Sequence, residues 1–127
     1  VNLIIAGRGA LSSWKELREY AEWSTTYVVC SMAAIGIMPT DHVLYGGMLG
    51  HTGHEYANRL VSQAETIICL GTRLDMRQTG TALGRWEAKH VIMVNTDQRE
   101  IDAARVHVDE SFCMTVKEWL HVHARGD

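Results

Sequence analysis

The sequence holds no Cys-x-x-Cys pair, no apolar run of membrane-spanning length and no excess of positive charge. Each absence removes a class of function. The three cysteines, Cys30, Cys69 and Cys113, are odd in number and too scattered for a disulfide framework or a zinc ribbon. Cys30 and Cys69 sit inside apolar, strand-like runs, so the expectation is buried, reduced thiols in a cytoplasmic protein. A membrane helix needs about 20 consecutive apolar residues, and none is present. No basic segment leading into an apolar one marks a signal peptide. A net charge of -3 offers no footprint for nucleic acid. There is no Walker A loop, no nucleophile elbow with a Ser/His/Asp order and no paired set of zinc ligands, so a self-contained active site is not legible. The chain also lacks an initiator Met, which leads us to expect a processed product or an expressed fragment.

What is present suits one soluble domain. A chain of 127 residues with 46% hydrophobic and 21% charged residues can bury a substantial core. Leu3–Ala6 reads as a buried strand stopping at Gly7, and Ser12–Trp23 as a helix with Trp14, Leu17, Tyr20 and Ala21 at helical spacing. Ser13 and Glu16 have the spacing of a capping box at its start. Tyr27–Cys30 is a second strand. An irregular Gly-rich stretch over 36–53 carries the only proline, Pro39. Glu55–Ala64 reads as a helix and Thr66–Leu70 as a strand, followed by a second long loop over 72–84. Val91–Val94 is a strand, Asp97 and Glu100 form a second candidate capping box for a helix through Ala104, Arg105–Val108 reads as a short strand, and Phe112–Val122 as a closing helix with Val116, Trp119 and Leu120 on one face. Strands apolar on both faces and alternating with helices imply a parallel sheet covered on both sides. The two long loops are where function is expected.

In open parallel sheets, ligands bind beyond the carboxyl ends of the strands. Three glycine-bearing turns fall at such places. Gly7-Arg8-Gly9-Ala10 begins like a dinucleotide fingerprint but has Ser12 where a third glycine belongs. It is either a plain tight turn or a place where a phosphate approaches backbone N–H groups. The stretch from Gly47 to Gly53, with Gly50 and His51, repeats glycine every third residue. It suits either a flat or anionic ligand or a crowded backbone path. His51 and His54 have His-x-x-His spacing without an acidic ligand on a regular helix, so no metal site is expected. In the third turn, from Gly71 to Gly80, Arg73 and Arg77 flank Asp75. That pattern serves a phosphate, through the bidentate arginine fork, or an internal network that fixes the loop. Asn95-Thr96-Asp97 ends a strand where nucleotide folds place a ribose ligand, though Asp97 also reads as a helix cap.

Taken together and in order, these residues resemble the central domain of thiamine-diphosphate enzymes of the acetolactate synthase family. The stretch from Gly36 to Gly50 is similar to the family's G-x-x-P-x-D-H-P-L-x-x-G-M-x-G. Ala57-Asn58 fits its A-N helix, and the stretch from Ala64 to Gly80 resembles A-D-x-I-x-x-G-x-R-x-D-D-R-x-T-G. The resemblance implies an open parallel six-stranded α/β sheet flanked by helices, Rossmann-like, spanning residues 1–127 as a single domain. It further implies that outer domains, absent here, bind thiamine diphosphate and magnesium and supply the catalytic glutamate. The central domain then takes no direct part in carboligation: it holds FAD or ADP, or serves as a scaffold. Carried over by position, the cofactor contacts are Gly7, Arg8, Gly9, Ser31, Met32, Gly50, His51, Gly71, Thr72, Arg73, Asp75, Arg77, Asn95 and Thr96, with no catalytic residue and no metal ligand. The implied partners are the parent's thiamine-diphosphate-binding domains and, in the parent, further copies of itself. The parent reaction is of the transferase or lyase kind. Departures are visible: Arg8 interrupts the glycine turn, Val43 stands for proline, His51-Thr52 for Met-His, Met76 for the second aspartate and Asn95 for an acid. They suit a divergent relative. The alternative is a free-standing Rossmann-type oxidoreductase module. It requires an acid at the end of the second strand, where Ser31 stands.

Overall fold

The computed structural model describes residues 2–49, 55–72, 89–104 and 106–123. The chain forms β1 (Asn2–Ala6), a 3-10 turn (Arg8–Ser13), α1 (Trp14–Ser24), β2 (Tyr27–Cys30), a short 3-10 turn (Met32–Ala34) and β3 (Tyr45–Met48). It continues through α2 (Glu55–Gln63), β4 (Thr66–Leu70), β5 (His90–Asn95), α3 (Gln98–Asp102), β6 (Glu110–Cys113) and α4 (Val116–His123). All six strands are parallel, in the order β3-β2-β1-β4-β5-β6. The expected open parallel six-stranded sheet is therefore observed.

Successive side chains of a strand point to opposite faces, and β1 shows the consequence. Ile4 and Ala6 enter one core with Leu17 and Ala21 of α1 and Val116, Trp119 and Leu120 of α4. Leu3 and Ile5 enter the other with Ala57, Leu60 and Val61 of α2 and Ile101 of α3. Strands buried on both faces need apolar residues at every position, which is why Leu3–Ala6 and Ile67–Leu70 read as continuous runs. From β1 to β2 the chain crosses on the α1 face, and from β5 to β6 it crosses in the opposite direction on the α3 face. Opposite directions on opposite faces give the same crossover hand.

Several local readings change. Ser13 makes no capping bond: residues from Arg8 coil directly into the helix, and Ser13 is buried. Tyr45–Met48 is a strand inside the stretch read as irregular. Two glycines hide it from propensity, but Gly46 is needed there, because a Cβ would stand 2.5 Å from Leu60 Cδ1 and 2.8 Å from Val29 Cγ1. Asp97 caps α3 by accepting from the Arg99 N–H at 2.9 Å. Glu100 does not close the box, because the Asp97 N–H donates to Asn95 Oδ1 instead. The sixth strand is not Arg105–Val108 but Glu110–Cys113. Arg105 lies outside the described residues, and Val106 and Val108 pack on the α2 face without pairing. Asp109 starts the real pairing, its N–H donating to Val91 O while its carboxylate accepts from the Val91 N–H. Consequently Phe112 belongs to β6, and the closing helix begins at Val116. There Thr115 and Glu118 form a reciprocal capping box with both bonds at 3.0 Å.

Candidate functional site at the sheet switch point

β1 and β4 are neighbours, yet the chain leaves them in opposite directions, toward β2 and toward β5. The carboxyl ends of two such strands diverge into a crevice, the general ligand position of doubly wound sheets. Here the crevice has a volume of about 790 Å³, within the range of small-molecule sites. Its lining comes from the turn after β1 (Arg8, Gly9, Ser12, Ser13), the end of β4 (Gly71), the end of β5 (Asn95, Thr96, Asp97, with Glu100 of α3) and the start of α4 (Thr115, Val116, Lys117).

The glycines there serve backbone packing. Gly71 has a φ of +68°, and a Cβ on it would lie 2.7 Å from Ala10 N and from Gly9 Cα. A Cβ on Gly7 would lie 2.5 Å from Thr72 Cα. The turns after β1 and β4 are thus pressed together and then bonded: the Gly7 N–H donates to Leu70 O at 2.9 Å and the Gly9 N–H to Gly71 O at 3.1 Å. Both amides are thus engaged by backbone carbonyls. What the turn presents to the crevice is the Arg8 side chain, for which no hydrogen bond or ion pair occurs among the described residues.

Asn95 is also engaged at both ends. Its Oδ1 accepts from the Asp97 N–H at 2.9 Å, and its Nδ2 donates to Thr72 O at 3.4 Å. An aspartate there lacks the donor and sets a carboxylate oxygen against the Thr72 carbonyl oxygen, two acceptors facing each other. The acids at this end of the crevice are Asp97, two residues on, and Glu100 of α3. Arg99 bonds the Asp97 carboxylate at 3.2 Å on each oxygen, which holds it below the usual carboxylate range and ionised. Thr72 is 2% exposed, and its hydroxyl has no hydrogen-bond partner among the described residues, an arrangement that costs about 1–3 kcal/mol unless a further group satisfies it.

Of the residues singled out in the sequence, Arg8, Gly9, Gly71, Asn95 and Thr96 line the crevice. Gly7 and Thr72 stand in the turns behind it. Ser31 and Met32 lie at the same sheet end but one strand away, after β2, where the Ser31 N–H bonds Ala6 O and Met32 is exposed. Gly50, His51, Arg73, Asp75 and Arg77 lie outside the described residues. Sequence reasoning missed Lys117 and Thr115, which the return of the chain from β6 brings to the crevice. The Thr-x-x-Glu spacing of Thr115 and Glu118 was the available signal. Lys117 also stands 4.0 Å from Glu16 of α1. Arg8 and Lys117 therefore bring positive charge to a crevice whose β5 end carries carboxylates, which suits an anionic ligand that also bears hydroxyl groups. Among the described residues, no three His, Cys, Asp or Glu side chains converge to hold a metal ion, and no helix is long and apolar enough to cross a membrane.

Comparison with known proteins bears on this geometry. A family model described as "Thiamine pyrophosphate enzyme, central domain" matches residues 2–122. The chain is 33% identical over 116 residues to acetolactate synthase 1, chloroplastic, of Zea mays, covering 91% of this chain and 18% of that protein. It is 26% identical over 102 residues to glyoxylate carboligase of Escherichia coli O157:H7 (78% and 17%). It is 29% identical over 99 residues to acetolactate synthase isozyme 1 large subunit of Escherichia coli strain K12 (78% and 18%). The chain thus spans less than a fifth of the length of these relatives.

Proposed function

The chain belongs to the family of thiamine pyrophosphate enzyme central domains, and on that premise we propose that its crevice holds ADP, or the adenosine diphosphate part of FAD, within a longer carboligase or lyase. The observation that carries this reading is the convergence of Arg8, Lys117 and the ionised Asp97 on one crevice at the β1/β4 switch point. Arg8 offers a planar fork and Lys117 a point charge to the diphosphate. Asp97 retains lone pairs beyond those taken by Arg99, which suit ribose hydroxyls. Arg73, Asp75 and Arg77, with Gly50 and His51, complete the proposed contacts. The domain orients and retains its ligand, and no residue in it acts on a substrate. Thiamine diphosphate with magnesium, held in the other domains of the parent, supplies the carbon–carbon bond chemistry. Those domains are the proposed partners and build the parent's homo-oligomer. The proposed setting is the cytoplasm, where Cys30 and Cys69 stay reduced.

A second reading, a purely structural domain, is favoured by one observation: the amides of Gly7 and Gly9 and both ends of Asn95 are engaged internally. The free-standing oxidoreductase is not favoured, because β2 runs into the buried Ser31, with no carboxylate for a ribose. Calorimetric and thermal-shift titration of the chain with ADP and with FAD separates the two surviving readings. Binding requires a rise in Tm with either ligand and at least a fivefold loss of affinity in Arg8→Ala. No heat and no shift at millimolar ligand leaves the scaffold.

A further inference from the structure

The apolar surface left exposed is unevenly shared between the two layers. Among the described residues, Tyr56 is the only large exposed apolar side chain on the α2 layer, whereas Trp14, Trp23, Ile35, Val43 and Val122 all belong to segments of the α1/α4 layer. Trp14 is partly accounted for, since the Arg18 guanidinium lies 4.4 Å from its ring centroid. Trp23 leans on one ring only, its centroid 6.0 Å from that of Tyr20, and both it and Val122 keep a broad open face. They are 52% and 56% exposed, and with the buried Leu120 and the half-buried Tyr20 they line an open groove of about 1190 Å³ between α1 and α4. An apolar trough on an otherwise well-covered domain marks a docking surface.

The charge around the groove says what kind of partner fits. Its charged lining is Glu16, Glu19 and Glu118 against Lys117, with His121 beside them. Lys117 already faces Glu16 at 4.0 Å, and Glu118 is engaged in the cap of α4. Glu19 has no ion-pair partner among the described residues. A second copy of this chain is a poor occupant, because a two-fold pairing sets the same acidic lining against itself in a protein of net charge -3. We propose that the α1–α4 groove docks an amphipathic helix that inserts aliphatic side chains between Trp23 and Val122 and carries lysine or arginine along its borders. Such a helix comes from chain outside this domain. In Zea mays acetolactate synthase 1, for instance, the matched stretch is 18% of the protein, leaving about four-fifths of its length to pack against this domain's free faces.

The test uses two fluorescein-labelled helical peptides of about four turns, one with leucine on one face and lysine on the other, the second with glutamate in place of lysine. Anisotropy is read against the chain and three variants. The proposal requires the lysine peptide to bind at least about tenfold tighter than the glutamate peptide, with an affinity that falls as salt rises. It requires Glu19→Lys and Trp23→Ser each to weaken that binding about fivefold or more, while Glu55→Lys, the same charge change on α2, leaves it within about twofold. Absence of binding, equal binding of the two peptides, or indistinguishable effects of Glu19→Lys and Glu55→Lys overturns it. A concentration-dependent dimer in sedimentation that Trp23→Ser dissolves overturns it in favour of a second copy.

Discussion

Gly71→Ala is the sharpest probe of how the two halves of the sheet are joined. Gly71 is the residue after β4, and its φ of +68° is left-handed, a conformation that costs an L side chain about 1–2 kcal/mol. A Cβ there also meets Ala10 N, Gly9 C and Gly9 Cα, all at 2.7 Å. These are backbone atoms of the turn after β1, and they cannot rotate aside. Forcing the turns apart is an overpacking strain of about 1–3 kcal/mol. The sum is about 2–5 kcal/mol. At about 4 °C per kcal/mol for a domain of this size, Tm falls by about 8–20 °C. Gly36→Ala is the control. Gly36 has a φ of +101°, but nothing lies within 4 Å of its added Cβ, so it isolates the conformational cost. Differential scanning calorimetry on both variants checks the argument. A Gly71→Ala loss no larger than that of Gly36→Ala refutes the claim that the β1 and β4 turns are pressed together.

Three further outcomes follow from other parts of the structure. In the folded chain Ellman's reagent should titrate Cys113 alone, since Cys30 and Cys69 are buried and burial pushes both thiols up; unfolding should release the other two, and three fast thiols in the native chain would contradict the fold. The bonds from Thr115 hold Glu118 below its ordinary value of 4.5, so its contribution is present above that pH and is lost as pH falls through the lower folded value. The Tm gap between wild type and Glu118→Gln should therefore close in acid, and a gap independent of pH would show that the ionised carboxylate adds nothing. Lys89 donates to Ser62 O at 3.0 Å and to Ala64 O at 2.5 Å, and burial lowers its pKa; Lys89→Met should cost about 1 kcal/mol in denaturant unfolding by exposing the C-terminal carbonyls of α2, with an unchanged midpoint as the contrary result.

The sequence by itself determined the class of fold, the strands at its centre and the family. Leu3–Ala6, Val28–Cys30 and Ile67–Leu70 are buried on both faces, so every residue in them is constrained and the constraint is visible as an unbroken apolar run. Edge strands carry less of that signal. β3 has two glycines in four residues, and β6 has Glu110 and Ser111 facing solvent. Each is a strand because a neighbour offers a row of backbone donors and acceptors, which is a property of the sheet rather than of the segment. The same division runs through the site. Arg8, Gly71 and Asn95 were legible because they follow or end strands in sequence. Lys117 and Thr115 were not, because only the return of the chain from β6 brings α4 against the turn after β1. Only the tertiary structure decided what the glycines are for. At Gly7-Arg8-Gly9 the close approach of Gly71 is a tertiary contact that no reading along the chain contains: it sets the Gly7 and Gly9 amides against backbone carbonyls and places Arg8 in the crevice lining.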